Sequence, residues 1–199
     1  MKRAKEICDY IIYLNIKINQ LQNKIDKLKR EVTIDNLTWL LNRKGIKKEF
    51  EKVISNKNRF SDITTLLLID IDNFKRINDT YWHDIWDLVL IEISKIFKEK
   101  VRNNDVVCRF WGEEFVIIMH WTDLEWAFNK AQDIRKFIED NLSKIINEIA
   151  HISSPKITVS IWVSKIRNEE ENCIKALKRA DDSLLDIKEN WKNQVKYET

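Results

Sequence analysis

Seven consecutive residues constrain this chain more than any others: Arg109-Phe110-Trp111-Gly112-Glu113-Glu114-Phe115. They lie between two apolar runs, residues 106–108 and 115–119. Two β-prone runs joined by a short link that contains Gly are typical of a β-hairpin. The tip of this hairpin would carry two neighbouring carboxylates, which repel each other unless a cation or a donor lies between them. The pattern therefore indicates a hard-metal site, with a solvated acidic turn as the alternative.

A second acidic site follows the apolar run Leu66-Leu67-Leu68-Ile69, which is typical of a buried strand. The chain continues with Asp70-Ile71-Asp72. Ligands of open α/β sheets bind just beyond the carboxyl ends of strands. An Asp at this strand end beside a Glu at the hairpin tip would form a Mg²⁺ site with oxygen ligands, and Lys75 would be available for phosphate. Asp72 is expected to cap a turn rather than to bind the metal.

Strands and helices alternate irregularly around the hairpin, which predicts an α+β fold with helices outside a sheet. Asp35 or Thr38 is expected to cap the helix that begins near residue 39. Apolar spacing predicts helices at 39–56, 86–101, 123–148 and 170–189, the hairpin at 105–120, and further strands at 64–72, 157–164 and 194–198.

Further motifs follow each other along the chain, at residues 35–43, 70–79, 82–87, 109–115, 160–163 and 180–193. In this order and spacing they resemble the GGDEF-domain diguanylate cyclase family, in its GGEEF form, over residues 33–198. The resemblance implies a palm-like, mostly antiparallel central sheet flanked by helices, in the order βααββαββ. It also implies an enzyme that condenses two GTP molecules into cyclic di-GMP and releases pyrophosphate.

Tryptophan replaces glycine throughout this pattern. The chain has 8 Trp and only 2 Gly, whereas a usage of ~7% predicts about 14 Gly. Gly is required where φ is positive or where the backbone approaches phosphate, and Trp is the largest side chain. Trp121 is a candidate for a seventh such replacement, in addition to the six positions that follow, and Trp126 is uninformative. The family pattern has glycine at the positions of Trp39, Trp82, Trp86, Trp111, Trp162 and Trp191.

Our hypothesis is that these are UGA codons, which the source organism reads as glycine and which are translated here as tryptophan. Indole rings built at glycine positions should then be crowded, and we expect crowding at residues 111, 82 and 86. The alternative is a diverged, aromatic-rich protein whose Trp residues stack on bases or fill the core.

The resemblance also implies roles for the acidic and basic residues. Asp70, the carbonyl of Ile71 and Glu113 would hold Mg²⁺ or Mn²⁺, which bridges phosphate oxygens. Glu113 would accept the hydroxyl proton, with Glu114 assisting, and Lys75 would stabilise charge in the transition state.

Six residues match the family's substrate-binding positions. Two of them, Asn78 and Asp87, would read the guanine edge. At residue 192 a Lys replaces the usual Arg, and Leu185 and Ile187 also depart from the family, which puts this edge of the pocket in doubt. The expected GTP-binding residues are Phe74, Asn78, His83, Asp87, Lys188 and Lys192.

The segment Arg102-Asn103-Asn104-Asp105 has the form and position of the family's product-inhibitory site. Arg102 and Asp105 would bind cyclic di-GMP as feedback, since Arg recognises phosphate with two hydrogen bonds.

The first 32 residues carry an unbroken heptad pattern. Apolar residues alternate at spacings of four and three, with Ile or Val at the a positions, which favours a parallel two-stranded coiled coil. We name residues 1–32 the leader and expect it to dimerise the chain, so that two half-sites meet. The alternative is one amphipathic helix packed on its own domain. The seam consists of Ile7, Ile11, Leu14, Ile18, Leu21, Ile25, Leu28 and Val32.

These patterns divide the chain into a dimerising leader (1–32) and a GGDEF catalytic domain (33–199). The leader carries a net charge of +4 and the remainder −1, which argues against nucleic acid as a partner. No apolar run is long enough to span a membrane and no signal pattern opens the chain, so we expect a cytoplasmic protein. The 3 Cys are widely spaced, which is typical of reduced thiols.

Two other functions compete with the enzyme. A degenerate relative would bind cyclic di-GMP through Arg102 and Asp105 without making it, and a bulky Trp111 favours this reading. An inert scaffold would use the leader alone. The full set of metal and guanine positions favours the enzyme, because a sensor has little use for them.

Overall fold

The centre of the molecule is a strand in which all eight residues are buried, β1 (Thr64–Ile71). It pairs antiparallel with β3 (Glu114–His120) on one side and with β4 (Val159–Lys165) on the other. The strand β2 (Val106–Trp111) extends the sheet beyond β3, and β5 (Val195–Tyr197) pairs in parallel with β4. The order β2-β3-β1-β4-β5 confirms the predicted α+β fold with a mostly antiparallel sheet.

The computed structural model describes residues 2–57, 63–74, 83–166 and 192–197. The helix expected at 170–189 lies outside these ranges. The described helices are α1 (Lys2–Thr33), α2 (Arg43–Lys57), α3 (His83–Lys100) and α4 (Leu124–Ala150).

Helices cover both faces of the sheet, because successive residues of a strand point to opposite sides. Leu67 and Ile69 of β1 lie in the larger apolar cluster, which contains the buried faces of α3 and α4. Leu66 and Leu68 lie in a smaller cluster with Ile46 and Phe50 of α2. A continuous apolar run suits this strand because neither face of it meets water.

The junction between α1 and α2 is capped by Asn42, which the sequence analysis did not single out. Its Nδ2 donates to the carbonyls of Val32 (3.0 Å) and Ile34 (3.1 Å) at the end of α1. Its Oδ1 accepts from the amides of Lys44 (2.9 Å) and Gly45 (3.1 Å) at the start of α2. The expectation that Asp35 or Thr38 caps this helix was wrong, because α2 begins only at Arg43.

Asp35 and Thr38 instead close the turn that precedes α2. The Asp35 carboxylate accepts from the amide of Thr38 at 2.9 Å and from its hydroxyl at 2.7 Å. The predicted start of the helix at residue 39 was also wrong. Trp39 has a left-handed backbone with φ 57°, which is not a helical conformation.

The heptad seam of α1 is exposed along its described part. Its seven described side chains, from Ile11 to Val32, are between 40% and 52% exposed. The seam therefore does not pack on its own domain, and the alternative of a self-packed helix is wrong for these residues. None of the described helices combines the length and the apolar content that crossing a membrane requires.

Gly45 provides a test of the α1–α2 junction. A Cβ atom added there would lie 2.5 Å from the carbonyl oxygen of Thr33 and 3.0 Å from the Leu41 side chain. Gly45→Ala should therefore lower the free energy of unfolding by about 1–3 kcal/mol, although Ala is the better helix former. Urea denaturation measures the change. Lys44→Ala, at an exposed position of the same turn, is the control, and a stabilised Gly45→Ala would contradict the packing described here.

Candidate functional site

The end of β1 and the turn of the hairpin meet at one edge of the sheet. Asp70 lies opposite Glu114 in the register of β1 and β3. The amide of Ile71 faces the carbonyl oxygen of Glu113 at 3.4 Å. Asp70 is 2% exposed, whereas Glu113 and Glu114 are partly exposed. The structure thus makes the residues expected to hold the metal neighbours along the backbone of the sheet.

This donor set fits a divalent cation. The Asp70 carboxylate, the Ile71 carbonyl and the Glu113 carboxylate offer only oxygen atoms, which Mg²⁺ and Mn²⁺ prefer. Across the described ranges no group of three or more His, Cys, Asp and Glu side chains is placed to hold a metal. Mg²⁺ at nucleotide sites is usually held by one or two carboxylates together with phosphates and water.

Asp72 has a structural role at the same strand end. Its carboxylate accepts from the hydroxyls of Thr158 (2.6 Å) and Ser160 (2.7 Å) and from the amide of Asn193 (2.9 Å). The side chain is 3% exposed, and its lone pairs are engaged by neutral donors from β4 and from the segment before β5. Asp72 therefore anchors β4 and the segment before β5 to the end of β1, rather than facing the site.

Lys192 also lies at this strand end. Its Nζ donates to the Oδ1 of Asn73 at 2.6 Å, and Asn73 has a left-handed backbone with φ 57°, which Asn tolerates better than most residues. A cation expected to bind phosphate is thus beside the loop that follows β1. Three other predicted residues, Lys75, Asn78 and Lys188, lie outside the described residues.

The expected guanine side is partly described. Phe74 is partly buried, and its ring centroid lies 3.9 Å from that of Trp86, with the planes at 89°. Asp87 follows on α3 and is exposed, while His83 lies in the first turn of this helix. The centroid distance between Phe74 and Trp86 is shorter than the ~4.5–7 Å usual for aromatic pairs, as expected for crowding at residue 86. Trp86 is also 6% exposed and belongs to the larger apolar cluster, as the alternative of a Trp that fills the core expects.

Crowding at the hairpin tip is absent, so this part of the expectation was wrong. Trp111, the last residue of β2, is 64% exposed, so neighbouring side chains do not enclose its indole. Residue 82, the third position expected to be crowded, lies outside the described ranges.

Arg109 holds the hairpin tip from the side away from β1. Its Nε donates to the carbonyl of Gly112 at 2.9 Å, and its Nη1 lies 3.3 Å from the Asp35 carboxylate. The amide of Arg109 also donates to the carbonyl of Leu41 at 2.8 Å. The sequence analysis missed this pair, and its only signal was that both residues belong to recognised motifs.

The ion pair affects the pKa of Asp35. Partial burial would raise this pKa, but hydrogen bonds from the Thr38 hydroxyl and amide, with the charge and hydrogen bond of Arg109, outweigh burial and lower it. Asp35 is therefore ionised at neutral pH in the folded state.

The predicted product-binding residues lie at the other end of the hairpin. Asp105 accepts from the amides of Arg102 (3.0 Å) and His120 (3.2 Å). The Arg102 guanidinium lies 4.3 Å from the centroid of the Trp126 ring. Both residues line a cavity of about 550 Å³, together with Lys98 and Asn103. Val106 and Val107 at the start of β2 also line this cavity, and the rest of the strand leads from the cavity to the tip.

The fold and the site define an α+β, palm-like domain with an acidic strand end beside an acidic hairpin tip. The chain matches the family described as "Diguanylate cyclase, GGDEF domain" over residues 32–194. It belongs to the GGDEF-domain family.

Curated relatives support this membership. The chain is 35% identical over 175 residues to the response regulator PleD of Caulobacter vibrioides, which covers 88% of this chain and 38% of PleD. It is 37% identical over 142 residues to diguanylate cyclase A of Treponema denticola, covering 71% of this chain and 37% of that protein. The chain thus spans less than two-fifths of these relatives.

Solved structures share the fold. The coiled coil and GGDEF domain of DgcB from Caulobacter crescentus, in complex with c-di-GMP, superposes with a TM-score of 0.81 at 22% identity and covers 92% of this chain and 95% of that one. Diguanylate cyclase SiaD from Pseudomonas aeruginosa, in complex with its activator SiaC, gives 0.78 at 25% identity, with coverage of 99% and 74%. An active GGEEF domain of a diguanylate cyclase from Vibrio cholerae gives 0.69 at 28% identity, with coverage of 79% and 97%.

The Asp35–Arg109 pair can be tested through the pH dependence of stability. A pKa lowered by folding stabilises the protein above the unfolded value of ~3.9, and this stabilisation is lost as pH falls through the folded pKa. Asp35→Asn should therefore cost about 1–2 kcal/mol at pH 7, and the difference from the parent should shrink below pH ~4. Urea denaturation across this range measures both values.

Asp133→Asn, at an exposed position of α4, is the matched control and should give a small difference at every pH. A cost for Asp35→Asn that stays constant from neutral to acidic pH would show that the charge of Asp35 is not what stabilises the turn.

Proposed function

We propose that this chain is the catalytic part of a diguanylate cyclase, which condenses two GTP molecules into cyclic di-GMP with release of pyrophosphate. The observation that carries the proposal is the meeting of Asp70, at a buried strand end, with Glu113, whose carbonyl lies 3.4 Å from the amide of Ile71. Family membership and relatives that are named diguanylate cyclases support it.

Asp70, the Ile71 carbonyl and Glu113 would hold the Mg²⁺ or Mn²⁺ ion. The ion held by these residues would supply positive charge, which would offset the charge of the phosphates and make the attacking 3′-hydroxyl more acidic. Phosphoryl transfer depends mainly on position and on neutralised charge.

The chain's own side chains would supply the remaining chemistry. Glu113 would take the hydroxyl proton with Glu114 assisting, and Lys75 would balance charge on the phosphates. Lys188 and Lys192 would bind the outer phosphates, and Lys192 already lies at the strand end beside Asn73.

The guanine base would be read on the side of α3. Asn78 and Asp87 would satisfy the polar edge of the base, and the loss of either partner would leave a buried group unpaired. His83 lies on the first turn of the same helix, and Phe74 would line the pocket.

We further propose that the leader (1–32) forms a parallel coiled coil with a second copy, and that residues 33–199 form the catalytic domain. Each domain would hold one GTP, so two domains must face each other. The exposed seam of α1 favours this arrangement, since burying it would remove apolar surface from water. A helix of 32 residues is roughly 48 Å long, and the coil would raise the effective concentration of the second half-site.

Arg102 and Asp105 would bind the product cyclic di-GMP as feedback, in the cavity of about 550 Å³ that they line. The Arg102 guanidinium offers paired donors to phosphate. The proposed substrate and product are small nucleotides. We also propose that the protein lies in the cytoplasm.

The competing sensor is favoured by one observation, the indole of Trp111 at the hairpin tip, which is 64% exposed where phosphate would approach. An assay with GTP and Mg²⁺, on the chain and on a variant with Gly in place of Trp at 39, 82, 86, 111, 121, 162 and 191, separates the functions. Cyclic di-GMP formed by either protein supports the enzyme. Product binding without turnover supports the sensor. The absence of both turnover and product binding supports the scaffold.

Glu113→Gln and Asp70→Asn should each lower kcat by about 10²–10⁴-fold in that assay, because each removes a carboxylate that would hold the metal ion, and Glu113→Gln also removes the group that would take the hydroxyl proton. Circular dichroism checks that the variants are folded. Glu148→Gln, at an exposed position of α4, should leave kcat unchanged. Full turnover in folded Glu113→Gln would contradict the assignment of this site.

Leu14→Lys with Leu21→Lys should separate the two copies, since four charges would enter one apolar seam. Sedimentation should show monomers, and turnover per chain should then rise with protein concentration. The matched control is Asn19→Lys with Asn23→Lys, which adds the same charge away from the seam. A dimer that survives the seam variant would show that the leader is not the contact.

A further inference from the structure

Two tryptophans adopt a backbone conformation that bulky residues avoid. Trp39 has φ 57° and Trp121 has φ 49°, both in the left-handed region where a bulky side chain is an outlier. The other described non-Gly residues with positive φ are Asn73, His151 and Asn193, which belong to the types that tolerate this region. The two indoles are thus the exceptions.

Packing does not compensate for either conformation. Trp39 is 73% exposed and Trp121 is 64% exposed, so neither ring gains burial. The peptide groups of Trp39 are nevertheless engaged, since its amide donates to the backbone carbonyl of Asp35 at 2.9 Å and its carbonyl accepts from the Lys98 Nζ at 3.2 Å. The turn therefore needs the backbone of residue 39 but not its side chain.

The more buried tryptophans fit poorly in a different way. The Trp86 ring lies 3.9 Å from that of Phe74, closer than aromatic pairs usually come. The buried Nε1 of Trp162 has no hydrogen-bond partner among the residues described, and an unpaired buried donor is costly. Trp111, by contrast, is exposed. The only cation described beside its ring is Arg43 at 5.8 Å, near the outer limit for a cation–π contact.

The two encoded glycines lie where a larger residue would be strained. A Cβ at Gly45 would lie 2.5 Å from the Thr33 carbonyl oxygen, and Gly112 has φ 40°. Glycine is therefore retained at two demanding positions, while Trp stands at two other positions that share the left-handed backbone of Gly112. Divergence toward aromatic residues would not produce this division.

We propose that the native protein carries glycine at positions 39, 86, 111, 121 and 162, encoded by UGA codons that its source reads as glycine. The same proposal extends to positions 82 and 191 through the sequence pattern alone. Trp126 is not included, because it lies within α4 with a helical backbone, where glycine would be unfavourable.

The proposal has a consequence at the hairpin tip, and this consequence rests on the proposed function. Glycine at 111 would give two consecutive glycines before Glu113 and remove the exposed indole. Backbone amides would then be open to a phosphate group, which is the usual reason for glycine at such turns. The obstacle that favours a sensor would not exist in the native protein.

Protein isolated from its source decides the proposal directly. Peptides that span residues 39, 86, 111, 121 and 162 should have the masses of glycine peptides, and the gene should have UGA at each position. Tryptophan in any of these peptides, or UGG at these codons, would overturn the proposal. This readout does not depend on activity, so a failed cyclase assay would leave it intact.

Recombinant variants give an independent test. Trp39→Gly and Trp121→Gly should each raise Tm, because glycine relieves the left-handed backbone at exposed positions. Trp39→Ala and Trp121→Ala remove the same indoles but keep a Cβ, so they should raise Tm less. Trp126→Gly, within a helix, should lower Tm. If glycine at 39 and 121 lowers Tm as it does at 126, the proposal is overturned.

Discussion

The buried carboxylate of Asp72 holds together the segments on which the site depends. It accepts from Thr158 and Ser160 beside and within β4 and from the amide of Asn193 before β5. A buried charge is tolerated only when its lone pairs are engaged, so these donors fix the end of β1. Asp70, two residues earlier, is positioned by the same anchoring.

A second network holds the segment that carries Lys192. Arg135 of α4 donates to the Asn193 side chain at 2.8 Å and to Glu139 at 2.7 Å. Hydrogen bonds from Lys156 and then Arg135 lower the pKa of Glu139 to about 2. Glu139 is therefore negative throughout the physiological range, and it keeps Arg135 oriented toward the end of β1.

Much of the fold could be predicted from the sequence because its signals are local. The apolar run before Asp70 identified the buried strand, and the Gly-containing link identified the hairpin. The start of α2 was misplaced because its N-terminal cap is Asn42, whose role depends on the carbonyls of α1. Gly45 likewise shows its importance only when the neighbouring helix end is present.

The candidate site was predictable in part for a related reason. Asp70 and Glu113 could be placed together since strand ends and hairpin tips are recognisable in a sequence. The pair Asp35–Arg109 could not, because 74 residues separate its members and no pattern links them. The same limit applies to the donors of Asp72, which come from positions 86 and 88 residues later.

The hydrogen bonds between α1 and the hairpin give the leader a geometric role. Asn42 binds the last carbonyls of α1, and the adjacent Leu41 accepts from the amide of Arg109. Arg109 in turn holds the carbonyl of Gly112 at the tip. These hydrogen bonds connect the end of α1 to the tip in a few steps. If the proposed coiled coil forms, this connection would restrict how the two acidic tips can face each other, because the helix end and the tip are not joined by a free linker.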